Sequence, residues 1–185
     1  MPEELAVQIP VLKDVLDAMN VPRYELAGWE ADDLIGTIAR RCEEAGWDCR
    51  VATGDKDSLQ LVTDRTYVEL VSSRMGKSTT REMDPGTFRA EYGFDPIHMV
   101  DLKALMGDAS DNVPGVPGVG EKTALALLHG NGSLDTIYAR LDDGTLDAKP
   151  GVKKKLGEGR ESAYQSFDLC TIRRDAPMDF TPEEA

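Results

Sequence analysis

The chain has 185 residues, 41% of them apolar, which is enough to bury a core and argues against disorder. Lys and Arg number 21 against 34 Asp and Glu, a net charge of −13, so any contact with nucleic acid has to come from local basic runs and not from an overall basic field. No apolar run is long enough to span a membrane, MPEELAVQIP is no signal peptide, and Cys42, Cys49 and Cys170 form neither a zinc pair nor a disulfide framework, all of which points to a cytoplasmic protein with ordinary thiols.

In residues 3–19 the apolar positions Leu5, Ile9, Leu12, Leu16 and Met19 recur at helical spacing, and Pro10 should break or restart the helix because it lacks an amide donor. Residues 23–27 read as a short strand. Residues 30–45 read as a helix stopped by Gly46. Residues 48–53 and 66–71 read as strands, and this alternation predicts an α/β core with a mainly parallel sheet and flanking helices. After about residue 84 the character changes. Pro85, Pro96, Pro114 and Pro117 punctuate short helical patterns over 97–106, 120–128, 133–140 and 161–172. The division expected is 1–83 as an α/β core, 84–180 as a helical region, and 181–185 as a tail or the start of a linker. No flexible linker separates the two halves. Basic residues concentrate in two runs, Arg74–Arg81 and Lys149–Arg160, the second with five basic residues and one acidic one. A solvated surface explains either run equally well.

Three acidic groups stand at element ends. Glu30, Asp32 and Asp33 open a predicted helix, where acids favour the macrodipole and cap free amides. Asp55 and Asp57 follow a predicted strand, where α/β proteins place their sites and where turns also use Gly and Asp. Asp108 and Asp111 are three apart, so a helical turn would put both on one face. Each group alone has a local structural explanation. Seven carboxylates brought together without cations would repel and partly protonate. Oxygen-only ligands suit hard ions such as Mg²⁺ or Mn²⁺, two of which can serve phosphodiester hydrolysis. His98 and His129 lie outside these groups, and no nucleophile–histidine constellation is present.

Residues 113–123 supply a docking segment. The small residues Gly115, Gly118 and Gly120, with Val116 and Val119 between them, let a backbone approach a ligand closely. The following helix start, with Lys122 and Thr123, favours a phosphate. A nucleotide phosphate loop is the rival, but Glu121 intervenes between Gly120 and Lys122 and no strand precedes the glycines.

GWEADD, TGDKDSLQLV and LMGDASDNVPGVPGVGEKTA resemble, in order and spacing, the successive signatures of the 5′ nuclease domain of bacterial DNA polymerase I, a family that includes the flap endonucleases. The resemblance runs from MPEEL to about DAPMDF. It implies a PIN-like 5′ nuclease core followed by a helix–turn–helix region that grips duplex DNA. It places Glu30, Asp32 and Asp33 at or beside a first metal, Asp55 and Asp57 between two metals, and Asp108 and Asp111 on the second-metal side. Gly115–Thr123 becomes the docking turn, whose carbonyls hold a potassium ion in this family. The implied activity is Mg²⁺- or Mn²⁺-dependent 5′→3′ exonuclease and flap cleavage in replication and repair, by a monomer near the nucleoid, on DNA with a 5′ end, flap or branch. A polymerase domain elsewhere in the natural chain is compatible with it. One departure stands out: the family's opening strand with its Asp-Gly motif, a second Asp and the basic arch have no counterpart here. The expected core is therefore incomplete at its N-terminus, and a cleavage-impaired module that binds DNA structure is the alternative.

Overall fold

The computed structural model describes residues 3–74 and 76–184, so Met75 of the first basic run lies outside the described residues, as do Met1, Pro2 and Ala185. Two helices open the chain, α1 (Glu3–Ala6) and α2 (Gln8–Ala18). Pro10 sits in the first turn of α2, where its missing N–H costs nothing, so the helix restarts ahead of it. No residue of α2 is buried, and Val11, Leu12 and Val15 are exposed.

Residues 23–27 do not form the expected strand. Among the described residues no strand pairs with them, and they are held by side chains instead: Arg23 donates to Asp17 at 2.6 Å and Lys13 to Glu25 at 2.7 Å. Tyr24 and Leu26 pack against a small cluster of Leu34, Cys42, Ala176, Met178 and Phe180. α3 (Ala31–Glu44) then buries Leu34, Gly36, Thr37, Ala39 and Cys42, while Asp32 and Asp33 occupy its first turn.

β1 (Cys49–Thr53) pairs in parallel with β2 (Thr66–Arg74), with Val51 opposite Val68. Their connection contains a 3-10 turn, Lys56–Leu61, that buries Leu59 and Leu61. β3 (Lys77–Met83) pairs antiparallel with β2, giving the order β1-β2-β3. The α/β reading holds, and the sheet is mixed: one parallel pair and one hairpin. β3 escaped the sequence reading because only Met83 of its seven residues is buried, which leaves no apolar alternation.

The helical half comprises α4 (Pro85–Tyr92), α5 (Met99–Met106), α6 (Glu121–Asn131), α7 (Leu134–Asp142), α8 (Pro150–Glu158) and α9 (Arg160–Cys170). α4 begins where the Asp84 carboxylate accepts from Thr87 N–H at 2.6 Å and ends at Gly93, whose φ of 77° a side chain would strain. α8 falls in the second basic run and starts with Pro150 at a first-turn position. Residues 182–184 of the expected tail form a 3-10 turn.

A single apolar cluster joins Val51, Val68 and Met83 to Leu102, Leu105, Leu128, Ile137 and Leu156, so the sheet and the helices share one core. Each fully buried Leu or Ile in it stabilises the fold by about 1.5–3 kcal/mol. α5 runs through the middle, and seven of its eight residues are buried, Asp101 and Lys103 among them. Asp101 is satisfied by Leu134 N–H at 2.6 Å and by His98 Nδ1 at 2.9 Å. Among the described residues no helix is long and apolar enough to cross a membrane.

Candidate metal centre

The three acidic segments converge on one cavity of about 560 Å³ at the carboxyl end of β1. Glu30, Asp32, Asp33, Asp55, Asp57 and Asp111 line it, together with Asp168 and Arg173. Carboxyl ends of parallel strands open toward such crevices because the chain leaves the sheet there.

Each wall has a local cause. Glu30 is the N-cap residue of α3, and its N–H donates to Asp33 Oδ2 at 3.4 Å. Asp33 Oδ1 accepts from Arg173 N–H at 2.9 Å, so one oxygen of this expected metal ligand is engaged by the backbone. After β1, Asp55 Oδ1 accepts from Asp57 N–H at 2.9 Å, which starts the 3-10 turn and aims Asp57 inward. Asp108 and Asp111 do not share a helical turn as expected. α5 ends at Gly107, and Asp108 pairs with Val113 through two backbone bonds of 2.9 and 2.8 Å. A tight turn results, with Asn112 at φ 56°. That turn still brings Asp111 to the site: ligand atoms of Asp57, Asp108 and Asp111 lie within 4.8 Å of one another.

Lys103 went unnoticed in the sequence. Its ammonium forms an ion pair with Asp57 and another, at 2.6 Å, with Asp108. Burial alone would lower its pKa, but these two partners raise it. A signal was available, because a helix apolar on nearly every side is a buried one, and a lysine buried there needs a partner. Asp168, near the end of α9, carried no such signal.

The charge balance is uneven. Burial pushes the Asp32 carboxyl up, and the negative charges of Asp55, Asp57, Glu30 and Asp33 push it further. Burial also raises Asp57 against the pull of Lys103. Asp108, bonded to Lys103 and Ser110, falls to about 2. The site thus holds more negative charge than Lys103 balances, and its donors are oxygens, which suits a hard divalent cation. Burial pushes the Cys170 thiol beside it up to about 11, which disfavours the reactive thiolate.

The predicted docking turn lies between α5 and α6. Gly115 has φ 61°, and a Cβ there would meet Gly107 N at 2.2 Å, so only glycine fits. Its N–H donates to Ser166 Oγ at 2.9 Å and its carbonyl accepts from Ser162 Oγ at 2.6 Å. Val116 and Val119 are 1% and 3% exposed, so of these two only the backbone could face a ligand. The Gly118 carbonyl accepts from Lys155 Nζ at 2.8 Å, which joins the second basic run to the turn. Gly120 precedes α6, Lys122 is exposed, and the Thr123 N–H bonds to Gly120 O at 2.9 Å.

Two family models match the chain. One, described as 5′-3′ exonuclease, N-terminal resolvase-like domain, covers residues 1–93. The other, described as 5′-3′ exonuclease, C-terminal SAM fold, covers residues 94–185. DNA polymerase I of Bacillus subtilis is 43% identical over 178 residues, which is 96% of this chain and 20% of that protein. The chain therefore spans about a fifth of the length of this relative. A mutant T5 5′-exonuclease superposes with TM-score 0.70 at 25% identity, covering 88% of this chain and 64% of that one. The bacteriophage T5 flap endonuclease, in a pseudo-enzyme-product complex with DNA and metal ions, gives TM-score 0.71 at 24% identity over 92% of this chain and 61% of that one; at that identity the likeness is one of fold.

Proposed function

The chain belongs to the 5′-3′ exonuclease family, and from that premise we propose that it is the metal-binding and DNA-docking part of a 5′→3′ exonuclease and flap endonuclease acting on DNA phosphodiesters. The observation that carries the reading is the convergence of carboxylates from α3, the end of β1 and the turn after α5 on one cavity. Glu30, Asp32 and Asp33 would hold one divalent ion, Asp108 and Asp111 a second, with Asp55 and Asp57 between them. Mg²⁺ or Mn²⁺ fits this all-oxygen donor set, and such a pair of ions supplies water activation and leaving-group neutralisation in phosphodiester hydrolysis.

The chain's own residues do the rest. Lys103 bridges Asp57 and Asp108 and offsets part of their charge, leaving the rest for cations to balance. The Gly115–Thr123 turn would take a duplex phosphate at the N-terminus of α6, with Lys122 adding charge. Lys155 of α8, bonded to the Gly118 carbonyl, would add a further positive charge beside the turn. A potassium ion at the turn would share its carbonyls with that lysine. Grip through phosphates favours recognition of shape over sequence, which suits a 5′ end, flap or branch met in replication and repair.

A flap substrate labelled at its 5′ end tests the reading. Product should appear with Mg²⁺ and not with EDTA. Normal binding with no product at high protein concentration would leave a binding module and sink the nuclease reading of this chain.

A further inference from the structure

Of the described residues lining the acidic cavity, Arg173 is the one cation. It follows α9 on an extended segment that is fixed at several points. Ile172 N–H donates to Gln60 Oε1 at 3.0 Å, Arg173 N–H to Asp33 Oδ1 at 2.9 Å, and Ala176 N–H to Thr37 Oγ1 at 2.9 Å. Gly36 of α3 lets the segment lie close, since a Cβ there would meet Ile172 Cγ2 at 2.8 Å. The side chain stacks: the Arg173 guanidinium lies 4.4 Å from the centroid of the Trp29 ring, in the same GWEADD run that supplies Glu30, Asp32 and Asp33. It stays 60% exposed, and among the described residues its ion pairing is with Asp175, through two long contacts of 3.4 Å from Nε and Nη2.

These features describe a cation that is positioned but not consumed. An arginine needed only to neutralise the acids would bury its fork against them, as Lys103 does with its ammonium. Here the backbone amide bonds the carboxylate, while the guanidinium is stacked on an indole at the rim, exposed, and engaged only by the long contacts to Asp175. A planar fork held over an aromatic ring loses little freedom when it binds, and it matches a phosphate with two parallel donors. An anionic substrate entering a cavity of carboxylates also needs a cation at the entrance.

We propose that Arg173, seated on Trp29, grips a backbone phosphate next to the scissile one in the strand being cut, and so positions that strand over the carboxylates. The inference rests on the nuclease reading above. Arg173 acts on the substrate and not on the metal ligands, so its loss should alter DNA affinity and leave cation affinity alone.

The test uses the wild-type chain, Arg173→Gln, Arg173→Lys and Trp29→Leu, each checked for an unchanged thermal transition. Affinity for a 5′-flap DNA with phosphorothioate linkages at the junction is measured in Mg²⁺ by anisotropy across a KCl series. Mn²⁺ affinity is measured by calorimetry without DNA. Arg173→Gln should bind the flap about tenfold more weakly and lower the slope of log K against log salt by about 0.7–0.9. Arg173→Lys, which keeps the charge, should retain the slope but lose part of the affinity, and Trp29→Leu should match it. Mn²⁺ affinity should not change. Equal flap affinity and slope for wild type and Arg173→Gln overturn the inference, as does a change in Mn²⁺ affinity with DNA binding intact. A wild type that neither binds nor cuts the flap in Mg²⁺ sinks the nuclease reading and this inference with it.

Discussion

Lys103 reaches Asp108 from inside the core, its Nζ 2.6 Å from Oδ2, so the innermost carboxylates of the candidate metal centre already have a covalently attached cation. Removing it with Lys103→Met leaves Asp57 and Asp108 facing each other without compensation. The metal-free protein should lose about 3 kcal/mol, a fall in Tm of roughly 6–12 °C for a chain of this size. Saturating Mg²⁺ should restore more stability in the variant than in the wild type. Thermal melts with EDTA and with Mg²⁺ check both; equal Tm values in EDTA would show that the ammonium does not balance these acids.

Asp111 is exposed and outside the Lys103 pairs, so it can be changed without disturbing the core. Asp111→Ala should cut metal-dependent flap cleavage by at least about tenfold while duplex affinity stays close to wild type. Single-turnover rates and anisotropy measured on the same preparation check it. Unchanged turnover would remove Asp111 from the site.

Gly115 and Gly120 flank the docking turn but differ in kind. Gly115→Ala places a Cβ against Gly107 at a positive φ and should cost more than about 1 kcal/mol and weaken duplex binding. Gly120 has a φ of −98° and open space around its would-be Cβ, so Gly120→Ala should leave Tm nearly unchanged. Melts of the two variants side by side separate a conformational need for glycine from a mere absence of side chain.

Glu43, which does not line the acidic cavity, provides a pH handle. Burial pushes its carboxyl up, but bonds from Thr63 at 2.5 Å, Thr66 at 2.6 Å and Arg174 at 3.0 Å outweigh that and hold it below its ordinary value. A carboxyl depressed in the folded state stabilises the fold above its unfolded pKa, and that contribution is lost as pH falls through the folded value. Glu43→Gln should therefore lower Tm at pH 7 and lower it less in acid, flattening the acid limb of the Tm–pH curve. Parallel curves for the two proteins would contradict this.

What could be read in the chain followed physical rules of different reach. α3 announced itself because Leu34, Ile38 and Cys42 recur on one face between an acidic start and Gly46. The acids were legible because carboxylates at element ends are conspicuous in number. β3 was not, since an exposed hairpin strand carries no apolar alternation, and α8 was hidden under its lysines. The strand expected at 23–27 had the right residues and no neighbour to pair with. The burial of Lys103 was legible in the apolar run of α5, but neither its partners nor the place of Arg173 was: which acid a cation meets is decided by how α5 and the segment after α9 pack, and that packing is set by residues far away in the chain.

The bonds from residues 172–176 to α3 and Gln60 span more than a hundred positions of sequence. During synthesis every carboxylate of the cavity leaves the ribosome before the segment that braces its wall. A nascent chain interrupted at residue 170 carries all the acids but not the strap that fixes Asp33 or the guanidinium at the rim. The order of translation thus delays assembly of the candidate metal centre until the helical half has been made and has closed back on the first.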